Sequence, residues 1–179
     1  MFRKIKKRRA SALTNYRKRI RMLNSGIDRL VVRRSNRGVI AQLVGFDQKG
    51  DRILASAYSK ELKAFGWEPR SNIPTAYLTG FLLAQKAGKL GVKKCILDIG
   101  LYKPIKSSVI FSAARGAADN GMPMQGAVEV DEKRISGTHI REYAKSSGAG
   151  KFTSYKEAGF DVSNIDAVFE EAKKKIKAK

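Results

Sequence analysis

The sequence is poor in cysteine, histidine and acidic residues. A single cysteine, Cys95, excludes an intrachain disulfide and favours a reducing compartment. The only histidine, His139, has no second type of metal ligand near it in the sequence, so we expect no metal site and no cofactor. The sequence has 16 acidic residues and 37 lysines and arginines, which gives a net charge of +21. Repulsion among these positive charges destabilises the folded protein unless a polyanion neutralises them. Nucleic acid is the partner that this imbalance favours.

Long hydrophobic runs are also missing. The longest apolar stretch, 76–84, is far shorter than the roughly 20 residues that span a bilayer, so no transmembrane segment is predicted. The basic N-terminus lacks the apolar run of a signal peptide. The basic residues are spread along the chain and not gathered on one long amphipathic helix, which argues against a membrane partner. We therefore expect a cytoplasmic protein.

The length of 179 residues suits one domain with a hydrophobic core and extensions at both ends. Asp28 is the only acid between Arg3 and Arg37, so the first part of the chain differs in charge from the rest. The predicted organisation is a basic N-terminal tail and helix over 1–26, an α/β RNA-binding core over 27–146, and a C-terminal extension ending in a helix over 147–179.

The N-terminal half predicts one helix and three strands. Apolar residues recur at helical spacing from Leu13 to Leu23, with basic residues between them and Gly26 as a stop signal, which predicts a basic amphipathic helix. Runs rich in valine, isoleucine and leucine at 29–34, 39–46 and 51–58 predict strands. Because a short turn sequence at 35–38 joins the first two, an antiparallel meander is expected.

The C-terminal half adds a crossover and a terminal helix. Asn72 can cap a helix that ends near Gly88 or Gly91, and the nearly all-apolar segment 95–99 is typical of a strand buried on both faces. Further helices are predicted over 107–120, over 138–145, and after Ser163 as an N-cap. The last has an apolar face of Ile165, Val168, Phe169, Ala172 and Ile176. The fold class predicted is α/β, a mixed sheet with an antiparallel meander, a parallel crossover and helices packed on it.

Two basic clusters are candidates for contact with RNA phosphates. Four like charges in five residues weaken an isolated helix, so we interpret them as phosphate contacts and not as a solvated face: Arg17, Lys18, Arg19 and Arg21. Tyr16 fits base stacking and core packing equally well. The predicted hairpin tip carries guanidinium and amide groups suited to a structured RNA: Arg33, Arg34, Asn36 and Arg37.

Two lysines precede a predicted helix. Lys103 and Lys106 lie just before Ser107 and Ser108, either of which can cap it, so phosphate could be held jointly by ammonium and free N–H groups. The lysine run 173–175 is interpreted as a solvated helix end, since cations are favourable there. Cys95, inside an apolar strand, is interpreted as a buried small hydrophobe.

Five sequence runs, in this order, resemble a known family: 14–19, 29–36, 72–80, 97–101 and 134–140. Together they are similar, from about Thr14 to Ala144, to the family of large-subunit ribosomal protein eighteen in its archaeal form, which is related to the eukaryotic large-subunit protein five. The resemblance implies a non-enzymatic protein that binds 5S rRNA and helps to seat it against the large rRNA, beside neighbouring proteins of the central protuberance. It extends the candidate RNA contacts to the N-terminal tail: Arg3, Lys4, Lys6, Lys7, Arg8 and Arg9.

Two other classes of function stay open on the residues alone. A metal-dependent nuclease would need converging carboxylates, for which Asp47, Asp98 and Asp119 are the candidates, although their predicted positions do not imply convergence. A basic RNA chaperone would bind any folded RNA with equal affinity. Competition with unrelated tRNA separates the chaperone from a ribosomal protein.

Overall fold

A computed structural model describes residues 10–11, 13–92, 94–126, 129–147 and 152–178. The strands are β1 (Asp28–Ser35), β2 (Gly38–Asp47), β3 (Gly50–Tyr58) and β4 (Cys95–Asp98). The α-helices are α1 (Tyr16–Asn24), α2 (Ile73–Ala87), α3 (Val109–Asp119), α4 (Glu132–Ser136), α5 (Thr138–Ser147), α6 (Thr153–Glu157) and α7 (Ile165–Lys177). Short 3₁₀ helices occupy Ser59–Phe65, Gly88–Leu90 and Val162–Asn164.

The four strands form one mixed sheet in the order β3-β2-β1-β4. Strands β1, β2 and β3 are antiparallel neighbours, and β4 pairs parallel to β1. Helix α2 lies between β3 and β4 in the chain, which makes it the crossover between the two edges of the sheet. The predicted α/β class, with its antiparallel meander and parallel crossover, is confirmed.

One face of the sheet is covered by helices α2 and α3. It contributes side chains that are fully buried with those of the helices: Leu30, Val32, Val39, Ala41 and Leu43. The two helices touch backbone to backbone, since a Cβ atom at Gly80 would lie 1.8 Å from the Ala113 carbonyl oxygen. A Cβ at Gly116 would lie 2.0 Å from the Tyr77 carbonyl oxygen. The close crossing therefore requires both glycines.

The start of α2 joins the sheet domain to the C-terminal segment. The Asn72 side chain caps the helix by accepting from the Thr75 N–H at 3.1 Å, as predicted, and its amide donates to the Tyr155 hydroxyl at 2.9 Å. The Trp67 indole N–H donates to the Thr75 hydroxyl at 2.9 Å. Arg70 lies over the Tyr155 ring, 5.2 Å from its centroid. These contacts fix the C-terminal segment to the N-terminal end of α2.

Helix α7 completes the hydrophobic core. Its buried side chains include Phe169, whose ring lies 5.9 Å from that of Trp67 and 5.5 Å from that of Tyr77. The predicted apolar face is confirmed, but the predicted Ser163 cap is wrong. The Asp161 carboxylate accepts from the Ser163 N–H at 2.9 Å and starts a 3₁₀ turn, which places Asn164 at the N-cap of α7.

Helix α1 begins later than its hydrophobic spacing predicts. Asn15 is the N-cap and accepts from the Lys18 N–H at 3.1 Å, so Leu13 precedes the helix and is 62% exposed. Gly26 follows the helix with a φ of 65°, which matches its predicted role as a stop. The hydrophobic spacing therefore predicts a helix that starts about one turn too early. The reason is that an apolar residue before the cap continues the sequence pattern although it does not belong to the helix.

The buried thiol of Cys95 gives a prediction about alkaline stability. Burial raises the pKa of this thiol from 9.0 to about 11, with a smaller contribution from the Asp28 carboxylate. The unfolded chain then loses the thiol proton at a lower pH than the folded chain, so stability falls as pH rises through about 9 to about 11. Urea unfolding of the wild type and Cys95→Ala at several pH values should give a shallower decline for the variant. Equal declines would contradict the prediction.

Candidate nucleic-acid interface

The face of the sheet opposite α2 and α3 forms the floor of a cleft. Side chains alternate along a strand, so the burial of Leu30 and Val32 in the core turns Arg29, Val31 and Arg33 to this face. Helix α1 and the residues before it form one wall, and the loop after β4 forms another. The cleft has a volume of about 530 Å³. We refer to this side of the sheet as the open face.

Alternating arginines and aspartates cross the open face. The Asp51 carboxylate lies 2.9 Å from the Arg19 guanidinium and 2.8 Å from that of Arg29. Arg29 reaches Asp98 at 3.1 Å, and Arg33 lies 3.6 Å from the other oxygen of Asp98. We call these five residues the charge ladder. It links α1 to β3, β1 and β4.

The middle of the charge ladder is buried. Arg29 is 3% exposed and Asp98 is 6% exposed, so their ion pair is shielded from water and salt. The Asp98 carboxylate also accepts from the Gly100 N–H at 2.8 Å, and Arg33 donates to the Asp98 backbone carbonyl at 2.9 Å. These hydrogen bonds hold the Asp98 carboxylate and the end of β4 in place.

The predicted contacts on α1 separate into two groups. Arg19 belongs to the charge ladder, whereas Arg17, Lys18 and Arg21 are exposed and form no ion pair with any residue that the structure describes. Arg17 and Arg21 are four positions apart and share one face of the helix. Tyr16, also on this helix, is half-buried.

The predicted contacts at the hairpin tip separate in the same way. Arg33 lies in the charge ladder, while Arg34, Asn36 and Arg37 are exposed at the end of the sheet. The Tyr102 hydroxyl donates to the Arg34 carbonyl at 2.9 Å and holds the loop 99–108 beside the tip. Because β1 and β4 are parallel, their carboxyl ends meet at this edge.

The loop 99–108 carries both predicted lysines, Lys103 and Lys106, with exposed side chains. Ser108 is the N-cap residue of α3, but its side chain makes no capping hydrogen bond. Ser107 has a left-handed φ of 54°, and its hydroxyl accepts from the Asp131 N–H at 3.3 Å. The structure therefore brings together the hairpin tip, the two lysines and the start of α3.

The remaining predicted contacts lie outside the described residues: Arg3, Lys4, Lys6, Lys7, Arg8 and Arg9. Sequence reasoning missed Arg29 and the two acids that pair with it. The strand period already places Arg29 on the same face as Arg33, which was a usable signal. Its main partner is 69 residues away in the sequence, which gave no local signal.

The three acids considered for a nuclease have separate structural roles. Asp47 lies at a turn and accepts from the Lys49 N–H at 3.3 Å, whereas Asp98 belongs to the charge ladder. Asp119 accepts from the Tyr77 hydroxyl at 2.8 Å. Burial, followed by this hydrogen bond, raises the pKa of Tyr77. Within the described ranges, no three His, Cys, Asp or Glu side chains are grouped so that they could hold a metal ion.

The environment of His139 is local. His139 lies in the first turn of α5, and its Nδ1 is 3.5 Å from the carbonyl oxygen of Lys133 in α4. A separate search for membrane spans finds no helix in the described part of the chain with the length and apolar character to cross a bilayer.

Comparison with known proteins identifies similar sequences. A family model described as ribosomal large subunit proteins 60S L5 and 50S L18 matches residues 1–90. The large ribosomal subunit protein uL18 of Thermofilum pendens is 42% identical over 95% of this chain and 92% of its own length. The uL18 proteins of Methanococcus maripaludis and Sulfurisphaera tokodaii are 41% and 42% identical, over 95% and 96% of this chain and 93% of their own lengths.

Proposed function

The chain belongs to the family of ribosomal large-subunit proteins 60S L5 and 50S L18, and we propose from this membership that it binds 5S rRNA and helps to attach it to the large rRNA. As a member it is a non-enzymatic component of the large ribosomal subunit in the cytoplasm. Its partners are ribosomal RNA and ribosomal proteins. We propose that those proteins are the ones that surround the 5S rRNA in the central protuberance.

The observation that carries the proposal is the set of exposed cations around the open face. They lie on α1, at the hairpin tip and in the loop 99–108, on both sides of the charge ladder. Exposed cations that no nearby acid neutralises gain most from meeting a phosphate backbone, because each contact releases condensed counterions. The proposed contacts are Arg17, Lys18, Arg21, Arg34, Asn36, Arg37, Lys103 and Lys106, continued by the N-terminal cations Arg3, Lys4, Lys6, Lys7, Arg8 and Arg9.

The loop 99–108 supplies a second type of contact. The first backbone N–H groups of α3 have no acceptor within the helix. The hydroxyl of the N-cap residue, Ser108, does not accept a hydrogen bond from them. A phosphate bound beside Lys103 or Lys106 would contact the ammonium group of that lysine and these N–H donors together. Because the hairpin tip is joined to this loop through Tyr102, the two sets of groups would engage one RNA segment together.

The three parts of the chain have different proposed roles. The segment 1–26 supplies the basic arm, the core 27–146 carries the open face, and the extension 147–179 supports the core from the side of α2. The support rests on the burial of α7 against α2 and on the hydrogen bond between Tyr155 and Asn72. Phosphate contacts fix the orientation of a protein on its RNA and carry little sequence information. A core supported by the extension would therefore hold the cations of the open face in register with the RNA phosphates.

A competition titration tests the proposed function. The full chain is titrated into labelled 5S rRNA in moderate salt, with and without excess tRNA, and the bound fraction is read by gel shift. We expect tight binding that survives the competitor. Equal loss of binding to 5S rRNA and to any other folded RNA would reject the proposal and leave a general RNA chaperone.

A further inference from the structure

Helix α1 lies on the surface of the domain. None of its nine residues is buried, and Ile20 is 55% exposed. Isolated helices shorter than about 12 residues are marginal in water, so this one depends on contacts with the domain. The ion pair between Arg19 and Asp51 is such a contact.

Asp51 is itself held in position from the sheet. Its Oδ2 atom lies 2.9 Å from Arg19 and 2.8 Å from Arg29. Arg29 cannot move freely, because its side chain is only 4% exposed and pairs with Asp98 on its other side. The buried arginine therefore fixes the carboxylate, and the carboxylate fixes Arg19.

This contact sets the rotation of α1 about its axis. Successive residues of a helix are about 100° apart, so Arg19 projects about 160° from Arg21 and about 160° from Arg17. Pairing Arg19 with the sheet turns the other two arginines away from it. Without the pair, α1 could present the same charges in many orientations.

Resting on the proposed function, we infer that Asp51 and Arg29 are positioning residues for RNA binding, and that Arg19 is the group through which they orient the cations of α1. Asp51 is negatively charged and lies beside the surface that is proposed to bind RNA, itself a polyanion. Charge alone predicts that its removal strengthens RNA binding. Positioning predicts the opposite sign, which makes the two effects separable.

The decisive variant is Asp51→Asn. We expect it to weaken binding to 5S rRNA by about fivefold, the upper range for a partly exposed ion pair, although it removes a negative charge. The matched control is Asp47→Asn, which removes the same charge from the same hairpin at a residue whose carboxylate accepts a hydrogen bond within its own turn and forms no ion pair with any described residue. The control should bind as tightly as wild type or slightly more tightly.

Two further variants separate positioning from general damage to the fold. Asp51→Glu keeps the carboxylate and should recover part of the lost affinity. Arg19→Gln should weaken binding by itself, and adding Asp51→Asn to it should cost little more, because residues acting through one contact are not additive. Losses that multiply would overturn the inference, as would an Asp51→Asn variant that binds like the Asp47→Asn control.

Hydrogen exchange tests the positioning step without RNA. Amides of 16–24 should exchange faster in Asp51→Asn than in Asp47→Asn, while those of α2 stay protected in both. Unchanged exchange in α1 would overturn the inference even if 5S rRNA binds tightly. If the wild-type chain shows no preference for 5S rRNA, the proposed function is wrong. Faster exchange confined to α1 in Asp51→Asn would in that case still show that Asp51 positions the helix.

Discussion

Gly116→Ala is expected to destabilise the fold by about 3 kcal/mol or more, at the upper end for overpacked cores. Its new methyl group would lie 2.0 Å from the Tyr77 carbonyl oxygen, an atom of the α2 backbone that cannot rotate away. Helices α2 and α3 must then separate, which opens the packing between them and the sheet. Urea unfolding followed by circular dichroism measures the loss, which is a large part of an ordinary domain's stability.

A matched substitution isolates the steric cause. Gly88 lies at the end of α2 with a φ of −54°, and a Cβ atom there would meet nothing within 4 Å. Gly88→Ala should therefore leave stability unchanged or raise it by up to about 1 kcal/mol, since alanine has less freedom in the unfolded chain. If both variants unfold at the same urea concentration, the crossing of α2 and α3 is looser than described.

Neutralising the exposed cations of α1 is expected to have the largest effect on RNA binding. The variant Arg17→Gln, Lys18→Gln, Arg21→Gln keeps Arg19 and the charge ladder. If each cation meets a duplex phosphate, the slope of log affinity against log salt falls by up to about 2.7, about 0.9 for each contact. Titrations with 5S rRNA over a series of potassium chloride concentrations measure this slope.

The control removes three charges elsewhere. Lys156, Lys174 and Lys175 are exposed in the C-terminal segment and are not among the residues that line the cleft, so their replacement by glutamine should change the slope little. This control tests the interpretation of the lysine run as a solvated helix end at Lys174 and Lys175, since Lys173 is half-buried with its Nζ 5.7 Å from the centroid of the Tyr77 ring. A similar loss of slope in the two triple variants would mean that RNA contact is spread over the whole surface.

The elements of the fold were largely predictable because local signals and packing agree. Alternating and continuous apolar runs marked the four strands, and Asn72 marked the start of α2. The short helices α4 and α6 escaped prediction, since five residues carry too little periodicity to be recognised. At α7 the sequence favoured Ser163 as the cap, whereas the Asp161 carboxylate caps a short 3₁₀ turn and Asn164 occupies the N-cap of the helix.

The candidate site was predictable only in part. Exposed cations at turns and on a helix follow from charge density, and the structure does place most of those it describes at the surface. The charge ladder could not be predicted, because its acids come from β3 and β4 on opposite sides of β1 and meet only once the strand order is known. Without the strand order, the sequence left Asp98 as a candidate metal ligand, whereas in the structure it pairs with Arg29.

The burial of helix α7 has a consequence for the order in which a growing chain can fold. Ile165, Phe169, Ala172 and Ile176 fill the core beside α2, yet they leave a translating ribosome after every strand of the sheet. At about 5–20 residues per second, the gap between β4 and α7 lasts several seconds. Over that time the nascent protein exposes apolar surface on α2 together with its basic arm, so chaperone protection would matter most just before synthesis of α7 is complete.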